Sequence, residues 1–399
     1  MVTTYNQVKG FQRFKNSVKL LSGKNALENI AFELRDLEAS RPLIITTKSM
    51  IKYGQLKIIT DALKQYNIET GSIFKDIPQD SSVATVNEIA QVYRENNCDS
   101  IVAVGGGSVI DTAKGVNMLV STDTKDLKEH MGLEILSGQL KPLIVIPSTS
   151  GTGSESTLVS VISDISRNVK MEFISYNILP DVAILDVRMT QSLPANLTAS
   201  TGIDALTHSV EAITGFQHNP LSRTYALTAI ELIANNLKKV VENGKDKEGR
   251  LALANASFMA GAAFSNAMVG IVHAIGHACG SVSGVAHSDA MTILLPHCME
   301  LNLPLCQEGY SRILLAFSGP EVYSQTPKAN RAQKCIYDIR SYILDLNKIS
   351  GLPTKLRDVG VKKEDFEIIA NTAINDGAAI VNPIEVTFDR VMGILEKAY

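Results

Sequence analysis

The sequence has no excess of basic charge. Its 399 residues include 38 Lys and Arg against 41 Asp and Glu, which gives a formal net charge of −3. A chain that binds nucleic acid or an anionic membrane surface through its charge needs a basic field. We therefore expect neither nucleic acid nor a membrane among the partners. The 45% of hydrophobic and 20% of charged residues are typical of a globular protein with a large core.

Cysteine is scarce, its number is odd, and no pair has Cys-x-x-Cys spacing. A disulfide framework is therefore not expected, and a reducing compartment, the cytoplasm, fits this usage best. The five cysteines are Cys98, Cys279, Cys298, Cys306 and Cys335.

Acidic residues are absent from the first 27 residues, which contain five basic ones. Such a bias resembles a mitochondrial transit peptide. The alternative is an opening strand and loop with a chance charge bias. The alternation of apolar and polar residues around Val18, Leu20 and Leu21 favours the strand.

No charged side chain occurs between Leu251 and Ser288. This stretch is long enough to span a bilayer. It also contains many Asn, Ser and His side chains, which hydrocarbon would penalise. We therefore expect buried helices around a polar site.

The first half of the chain alternates short β-branched runs with helical patterns such as Met50–Tyr66 and Val83–Asn96. This rhythm predicts an α/β, Rossmann-like N-terminal domain over residues 1–190, with a mostly parallel sheet. The predicted strands are Pro42–Thr46, Ser72–Lys75, Ser100–Val104, Leu143–Pro147 and Val182–Asp186.

Strand-like runs become scarce after residue 190, and long helical patterns dominate. We therefore predict an all-helical C-terminal domain over residues 191–399. Examples of these patterns are Leu221–Glu242, Leu251–Phe264 and Ala332–Leu346.

A glycine-rich turn, Gly105–Ser108, follows an apolar strand and opens a helix. Glycines let backbone N–H groups approach a ligand closely, and the helix start suits a pyrophosphate. Asp111 is expected in the first helical turn, where it could reach a cofactor hydroxyl or carboxamide. The motif is not Gly-x-Gly-x-x-Gly, and by itself a tight turn explains it equally well.

A second loop, Pro147–Glu155, also follows an apolar strand and is rich in hydroxyls and glycine. Thr152 or Ser154 could cap a following helix. Two such loops on one sheet would flank a crevice at the carboxyl ends of the strands, where open α/β sheets bind nucleotides.

Six of the seven histidines lie beyond residue 207. Asp204 and His208 are four residues apart, so on a helix they share a face, and His273 and His277 repeat that spacing. A carboxylate with several imidazoles suits a divalent transition metal acting as a Lewis acid. Spacing alone does not decide between His277 and His287 as a ligand, although the glycines and serines after His277 predict a turn before His287.

The remaining histidines are expected to be ordinary hydrogen-bonded residues. They are His130, His218 and His297.

Taken together, the motifs resemble the iron-containing (group III) alcohol dehydrogenase family over nearly the whole chain. The segments that carry the resemblance are GGGSVIDTAK, PSTSGTGSE, ILPDVAILD, SLPANLTASTGIDALTHSVEA, NAMVGIVHAIGHACG, AHSDAMTILLPH and DGAAIVNP. The resemblance implies a Rossmann-like domain and a helical domain with the site between them. It also implies hydride transfer between NAD or NADP and a small alcohol or aldehyde, with Fe²⁺ as the expected metal and Zn²⁺ as the alternative.

The resemblance also implies roles for individual residues. His277 would be a proton-relay residue beside the nicotinamide, and Phe264 would line the substrate pocket. The implied metal ligands are Asp204, His208, His273 and His287. The implied cofactor contacts are Gly106, Gly107, Ser108, Asp111, Thr149, Thr152, Lys170 and Leu179.

One position departs from the pattern of that family. Many members have an aspartate after the first strand, where this chain has Thr47. An acid there accepts hydrogen bonds from the ribose hydroxyls and repels a 2′-phosphate, which Thr47 cannot do. Lys48 offers a cation for that phosphate, so acceptance of NADP stands as a hypothesis beside ordinary use of NAD.

Two alternatives remain open at this point. The nearer is a glycerol- or polyol-type dehydrogenase of the same superfamily, and the other is a protein that binds metal and nucleotide without turnover. In each case we expect a homo-oligomer.

Overall fold

The structure is a computed structural model, and it describes residues 13–78, 81–122, 124, 126–164 and 169–399. The strands are β1 (Lys19–Gly23), β2 (Pro42–Ile45), β3 (Ser72–Phe74), β4 (Ser100–Gly105), β5 (Gly132–Leu133), β6 (Leu143–Pro147), β7 (Val159–Asp164), β8 (Val169–Ile174) and β9 (Val182–Asp186). The helices of the first half are α1 (Ile30–Asp36), α2 (Lys48–Lys52), α3 (Gln55–Gln65), α4 (Val83–Glu95), α5 (Gly107–Ser121) and α6 (Val187–Thr190).

Six strands form one parallel sheet in the order β1-β9-β6-β4-β2-β3. Every residue of β2, β4, β6 and β9 is buried, which is why these strands are continuous apolar runs in the sequence. The predicted strands agree with the observed ones to within one residue, and the opening strand is β1. Of the five basic residues behind the transit-peptide alternative, Lys9 lies outside the described residues and Lys19 lies in β1.

Two details of the first half differ from the prediction. A second sheet, β5-β8-β7, pairs β7 and β8 antiparallel and was not expected. The single helix predicted over Met50–Tyr66 is wrong, because Gly54 adopts a left-handed backbone conformation (φ 75°) and separates α2 from α3.

The second half is helical throughout, and no strand occurs within residues 191–399, all of which the structure describes. The predicted fold class is thereby confirmed. The helices are α7 (Ala195–Thr214), α8 (Pro220–Glu242), α9 (Lys247–Ser265), α10 (Ile271–Ser283), α11 (His287–Gln325), α12 (Arg331–Ser350), α13 (Phe366–Ala373) and α14 (Phe388–Ala398).

The uncharged stretch from Leu251 to Ser288 forms most of α9, all of α10 and the start of α11. These helices pack into the core of the second half, in line with the expected buried helices. Among the described residues, no helix combines the length and the apolarity that a membrane crossing needs.

Direct packing joins the two halves next to the loop that follows β6. A Cβ placed on Gly153 would lie 2.6 Å from Cα of Gly261, which is in α9. A Cβ on Gly151 would lie 2.6 Å from Cβ of Thr201, which is in α7. Glycine is therefore required at both positions for the loop to meet these helices.

Candidate active site

Four candidate metal ligands from three helices converge in the structure. Asp204 and His208 lie one turn apart on α7, His273 lies in the first turn of α10, and His287 is the first residue of α11. One ligand atom from each residue falls within 4.8 Å of the others. Gly284 ends α10 in the left-handed region (φ 70°). The chain turns there, and α11 begins with His287 beside the other three residues.

The donor set fits a divalent cation. Both carboxylate oxygens of Asp204 and Nε2 of His273 are buried, and no hydrogen-bond partner for them exists among the described residues. His287 Nε2 lies 3.4 Å from Asp204 Oδ1, and the His287 side chain is 41% exposed. Buried polar atoms require partners, and one ion would satisfy these atoms together.

Burial and mutual charge determine the protonation of this group. Burial lowers the pKa of His208 to about 3 and that of His273 well below its usual value, so both imidazoles are neutral. Burial acts to raise the pKa of Asp204, but the imidazoles of His208 and His287 outweigh it and hold that pKa low. One carboxylate with neutral imidazoles is the protonation state that binds a metal.

His273 is held by a carboxylate that the sequence analysis missed. Glu211 Oε2 lies 2.5 Å from His273 Nδ1, and the Glu211 side chain is 6% exposed. Burial raises the pKa of Glu211 to about 7. Glu211 follows His208 by three residues on α7, so its helical spacing was a usable signal for a nearby acid.

His277 lies one turn after His273 on α10 but makes different contacts. Its Nδ1 lies 2.9 Å from Asp376 Oδ2, and Glu172 completes a group whose ligand atoms lie within 4.8 Å of one another. Burial acts to lower the pKa of His277, but its bond to Asp376 outweighs burial and the pKa is raised. His277 is also near His287, with ring centroids 5.5 Å apart.

The partners of His277 were not identified from the sequence. Asp376 opens the closing DGAAIVNP segment, which contributed only to the family resemblance. Nothing in the sequence around Glu172 indicates that it contacts His277, because it lies on β8, a strand of the small sheet that is distant from His277 in the chain.

Phe264 covers one side of the cluster. Its ring stacks on that of His208, with centroids 4.4 Å apart and an interplanar angle of 16°, and its side chain is almost fully buried. An apolar ring at this place limits the room beside the candidate ligands.

The two glycine-containing loops pack directly on each other at the carboxyl ends of β4 and β6. A Cβ on Gly107 would lie 2.9 Å from Cγ2 of Thr152, and one on Gly106 would lie 3.4 Å from Cγ2 of Thr149. Ser108 follows in the first turn of α5. The structure thus brings together five of the predicted cofactor contacts around backbone N–H groups at a helix start.

The predicted capping by Thr152 or Ser154 holds only in part. Thr152 Oγ1 accepts a hydrogen bond from the N–H of Ser154 at 3.2 Å. A single 3₁₀ turn follows there, Ser154–Ser156, rather than a long helix.

The expectation that Asp111 lies in the first helical turn is wrong, because α5 begins at Gly107 and Asp111 is its fifth residue. One carboxylate oxygen accepts a hydrogen bond from the N–H of Val161 at 3.1 Å. The other, Oδ1, is buried and lacks a hydrogen-bond partner among the described residues. Burial raises the pKa of the Asp111 carboxyl group.

A buried lysine fixes the end of the second loop and was also missed. Lys114 Nζ donates to the backbone oxygens of Thr157 and Val159, at 2.7 and 2.8 Å. Glu155 is buried close by, accepts a hydrogen bond from Ser257, and has its pKa raised by burial to about 7. These bonds hold the loop against both α5 and α9.

Thr47 lies at the end of β2, beside β4, and hydrogen-bonds through its hydroxyl to Ser49. Lys48 does not stand free, because its ammonium pairs with the carboxylate of Asp76. Asp76 also forms an isolated bridge with Thr47. Asp76, two residues after the end of β3, therefore places a carboxylate beside Thr47, the position at which the family pattern has an aspartate.

Lys170 and Leu179 are placed differently from the other predicted cofactor contacts. Lys170 is exposed on β8, and its charge acts on His277. Leu179 is buried just before β9 begins, at the amino ends of the strands, whereas the glycine loops lie at the carboxyl ends. The structure does not bring Leu179 together with those loops.

Comparison with known proteins covers almost the whole chain. Residues 17–187 match the family described as iron-containing alcohol dehydrogenase, and residues 198–399 match the C-terminal part of the Fe-containing alcohol dehydrogenase family.

Individual relatives match over nearly their full lengths. The chain is 33% identical to the NAD-dependent methanol dehydrogenase of Bacillus methanolicus, over 94% of this chain and 97% of that protein. It is also 33% identical to the NADPH-dependent butanol dehydrogenase of Clostridium saccharobutylicum, over 97% and 98%. A crystal structure of 1,3-propanediol oxidoreductase superposes with a TM-score of 0.92 at 33% identity, over 97% of this chain and 100% of that one. The chain belongs to the iron-containing alcohol dehydrogenase family and is an oxidoreductase.

Proposed function

We propose that this protein transfers a hydride between a nicotinamide cofactor and a small alcohol or aldehyde at a divalent metal. The observation that carries the proposal is the group of Asp204, His208, His273 and His287 beside a pair of glycine loops. Both carboxylate oxygens of Asp204 and Nε2 of His273 are buried there without a hydrogen-bond partner among the described residues. A metal site alone fits many reactions, and a nucleotide crevice alone fits many ligands. Their adjacency supports hydride transfer.

The family name supports Fe²⁺, and the donor set also suits Zn²⁺. When bound, such an ion supplies Lewis acidity that lowers the pKa of an alcohol hydroxyl. Asp204 contributes one negative charge to the ion. His208 and His273 contribute neutral nitrogens, because burial keeps them unprotonated.

His277 is the residue we assign to proton transfer. It lies outside the four-residue group, it is near His287, and it is partly exposed. Asp376 engages Nδ1, which leaves Nε2 as the nitrogen able to exchange a proton with substrate or water. A carboxylate partner of this kind holds the imidazole in one orientation and one tautomer.

The nucleotide is assigned to the crevice between the Gly105–Ser108 and Pro147–Glu155 loops. The relatives include one named for NAD and one named for NADPH, so membership in the family does not decide the cofactor. Asp76 carries a negative charge beside Thr47, and its pairing with Lys48 occupies the cation that would bind a 2′-phosphate. These contacts favour NAD over NADP.

The substrate is assigned to the side of the metal group that Phe264 lines. Relatives are named for methanol, butanol and 1,3-propanediol, which are small alcohols, and one relative is named for long-chain alcohols. An apolar ring stacked on His208 favours substrates with a short alkyl chain over polyols or sugar phosphates. We infer further that residues 1–190 supply the nucleotide crevice and residues 191–399 the metal group.

The decisive experiment is a substrate panel with metal-reconstituted protein. The chain is stripped of metal, reloaded with Fe²⁺ or Zn²⁺, and assayed through nicotinamide absorbance with short primary alcohols, diols, glycerol and the matching aldehydes. Turnover of primary alcohols that depends on added metal supports the proposal. Turnover confined to glycerol would support a polyol dehydrogenase, and tight binding of metal and cofactor without any turnover would overturn the proposed enzyme activity.

A further inference from the structure

The Glu211 carboxylate is buried between α7 and α10, and each of its oxygens is engaged by α10. Oε1 accepts a hydrogen bond from the backbone N–H of Val272 at 2.7 Å, and Oε2 lies 2.5 Å from Nδ1 of His273. The carboxylate therefore contacts the first turn of α10 and the imidazole that this turn carries.

This contact determines the tautomer of His273. A neutral imidazole has one N–H and one lone pair, and a carboxylate at Nδ1 places the proton there. The lone pair then belongs to Nε2, which is buried and has no hydrogen-bond partner among the described residues. His273 is thus prepared to bind a cation through Nε2 before any cation arrives.

We propose that Glu211 is the positioning residue of the metal centre, which sets the metal affinity by holding His273 in this tautomer and orientation. The inference rests on the proposed function, since it takes Asp204, His208, His273 and His287 as the metal ligands. Carboxylates that accept the second N–H of a ligating histidine typically change metal affinity by about 10- to 100-fold.

The backbone around Glu211 is shaped for this contact. A Cβ on Gly270 would lie 3.1 Å from Glu211 Oε1 and 2.9 Å from Oδ1 of Asn382. Asn382 in turn accepts a hydrogen bond from the N–H of Ile271 at 3.3 Å. Glycine at position 270 lets both side chains reach the start of α10, where unpaired N–H groups and the helix dipole favour a negative charge.

Glu211 also links the ligands to one another. It lies on α7 with Asp204 and His208, at seven and three residues after them, and so on a similar face of the helix. Its bonds to α10 fix the distance between the α7 ligands and His273. If Glu211 only capped α10, its bond to the N–H of Val272 would be enough. Its second bond, to the imidazole of His273, indicates that it also positions the ligand.

The chain provides a matched control on the same helix. His277 lies one turn after His273 and has its own carboxylate, Asp376, at 2.9 Å from the equivalent nitrogen. The two pairs share their chemistry, but only His273 belongs to the four-residue metal group. Removing the charge from each carboxylate therefore separates an effect on a metal ligand from a general effect on a buried histidine.

The test is a titration of the metal-free full-length protein with Co²⁺, followed by its visible absorption and by competition with a chelator. Glu211→Gln keeps the size and one acceptor oxygen, but we expect it to lower Co²⁺ affinity by about 10- to 100-fold and to alter the Co²⁺ spectrum. Asp376→Asn is expected to change the affinity by less than about threefold and to leave the spectrum unchanged. Thermal unfolding of both metal-free variants shows whether either is merely destabilised.

Each outcome separates the hypotheses. Wild-type affinity and spectrum in Glu211→Gln, or equal losses in the two variants, would overturn the role of Glu211. If Glu211→Gln does not fold, Glu211→Asp serves instead, because it keeps the charge but shortens the side chain by one methylene and so withdraws the carboxylate from His273, and an affinity loss is again expected. Failure of the wild-type protein to bind Co²⁺, or full binding by His273→Ala, would instead refute the proposed metal site itself.

Discussion

The metal side of the site offers mostly buried polar side chains, whereas the nucleotide side offers mainly backbone groups and more exposed side chains. The metal side, formed by α7, α10 and His287, uses charged and imidazole side chains that are almost all buried. The nucleotide side, formed by the Gly105–Ser108 and Pro147–Glu155 loops with Thr47, uses backbone N–H groups, small hydroxyls and one exposed ion pair.

This difference determines how each side responds to change. A buried carboxylate or imidazole that loses its partner leaves an unpaired polar atom in a place that water does not reach, and the cost is several kcal/mol. An exposed charge such as Lys48 or Asp76 is screened by water and salt, so its contribution is small. Mutations on the metal side should therefore act on metal content and turnover, and those on the nucleotide side on cofactor choice.

The largest effect is expected from removing one ligand. His273→Ala and His287→Ala should each lose most of their bound metal and with it nearly all activity, because four ligands share one ion. Metal content after exhaustive dialysis, measured by elemental analysis, checks this. Full occupancy in both variants would mean that the ion, if one binds, lies elsewhere.

The next effect tests whether α10 carries two kinds of histidine. His277→Ala should keep its metal but lose turnover by about 10²- to 10⁴-fold, the usual contribution of a proton-transfer residue. Its metal content and kcat are compared with those of His273→Ala, which differs in position by one helical turn. Metal loss as severe as in His273→Ala would make His277 a ligand.

A smaller effect is expected on the nucleotide side. Thr47→Asp should reduce kcat/KM for NADP(H) far more than for NAD(H), by about 1–3 kcal/mol of like-charge repulsion against the 2′-phosphate. Asp76→Asn should shift the preference in the opposite direction, because it removes an acid and releases Lys48. Equal losses for both cofactors in Thr47→Asp would show that the ribose is not bound beside β2.

The smallest effect is expected for His297, a half-buried histidine outside the metal group, and concerns the pH dependence of stability. Burial lowers the pKa of His297 to about 4. The unfolded chain binds this proton near pH ~6.5, so the stability that the neutral imidazole contributes is complete above that pH and is lost as the pH falls toward 4.

For metal-free protein, His297→Gln should therefore weaken the loss of stability between pH 7 and pH 5 by roughly 1 kcal/mol, after allowance for partial exposure. Urea unfolding of wild type and variant at both pH values measures it. An identical pH dependence would indicate that His297 titrates normally in the folded protein.

The sequence by itself determined the parallel sheet, the helical second half and the candidate ligands. A continuous apolar run bounded by turn residues, such as Ser100–Val104, is typical of a buried strand, and a spacing of four places Asp204 and His208 on one face of a helix. Local patterns of this kind are fixed by neighbours in the chain. The glycine loops can also be recognised from local sequence, because glycine readily adopts the backbone conformations that such loops need.

Only the tertiary structure decided which polar groups support these residues. Glu211 could have been suspected from its helix, but its contact with His273 depends on how α7 packs against α10. Asp376 lies 99 residues after His277 in the chain and meets it only through folding. Likewise, the pairing of Lys48 with Asp76 depends on β2 and β3 lying side by side in the sheet. A hydrogen bond or an ion pair acts over a few ångströms in space, and sequence distance does not specify which distant side chains approach that closely.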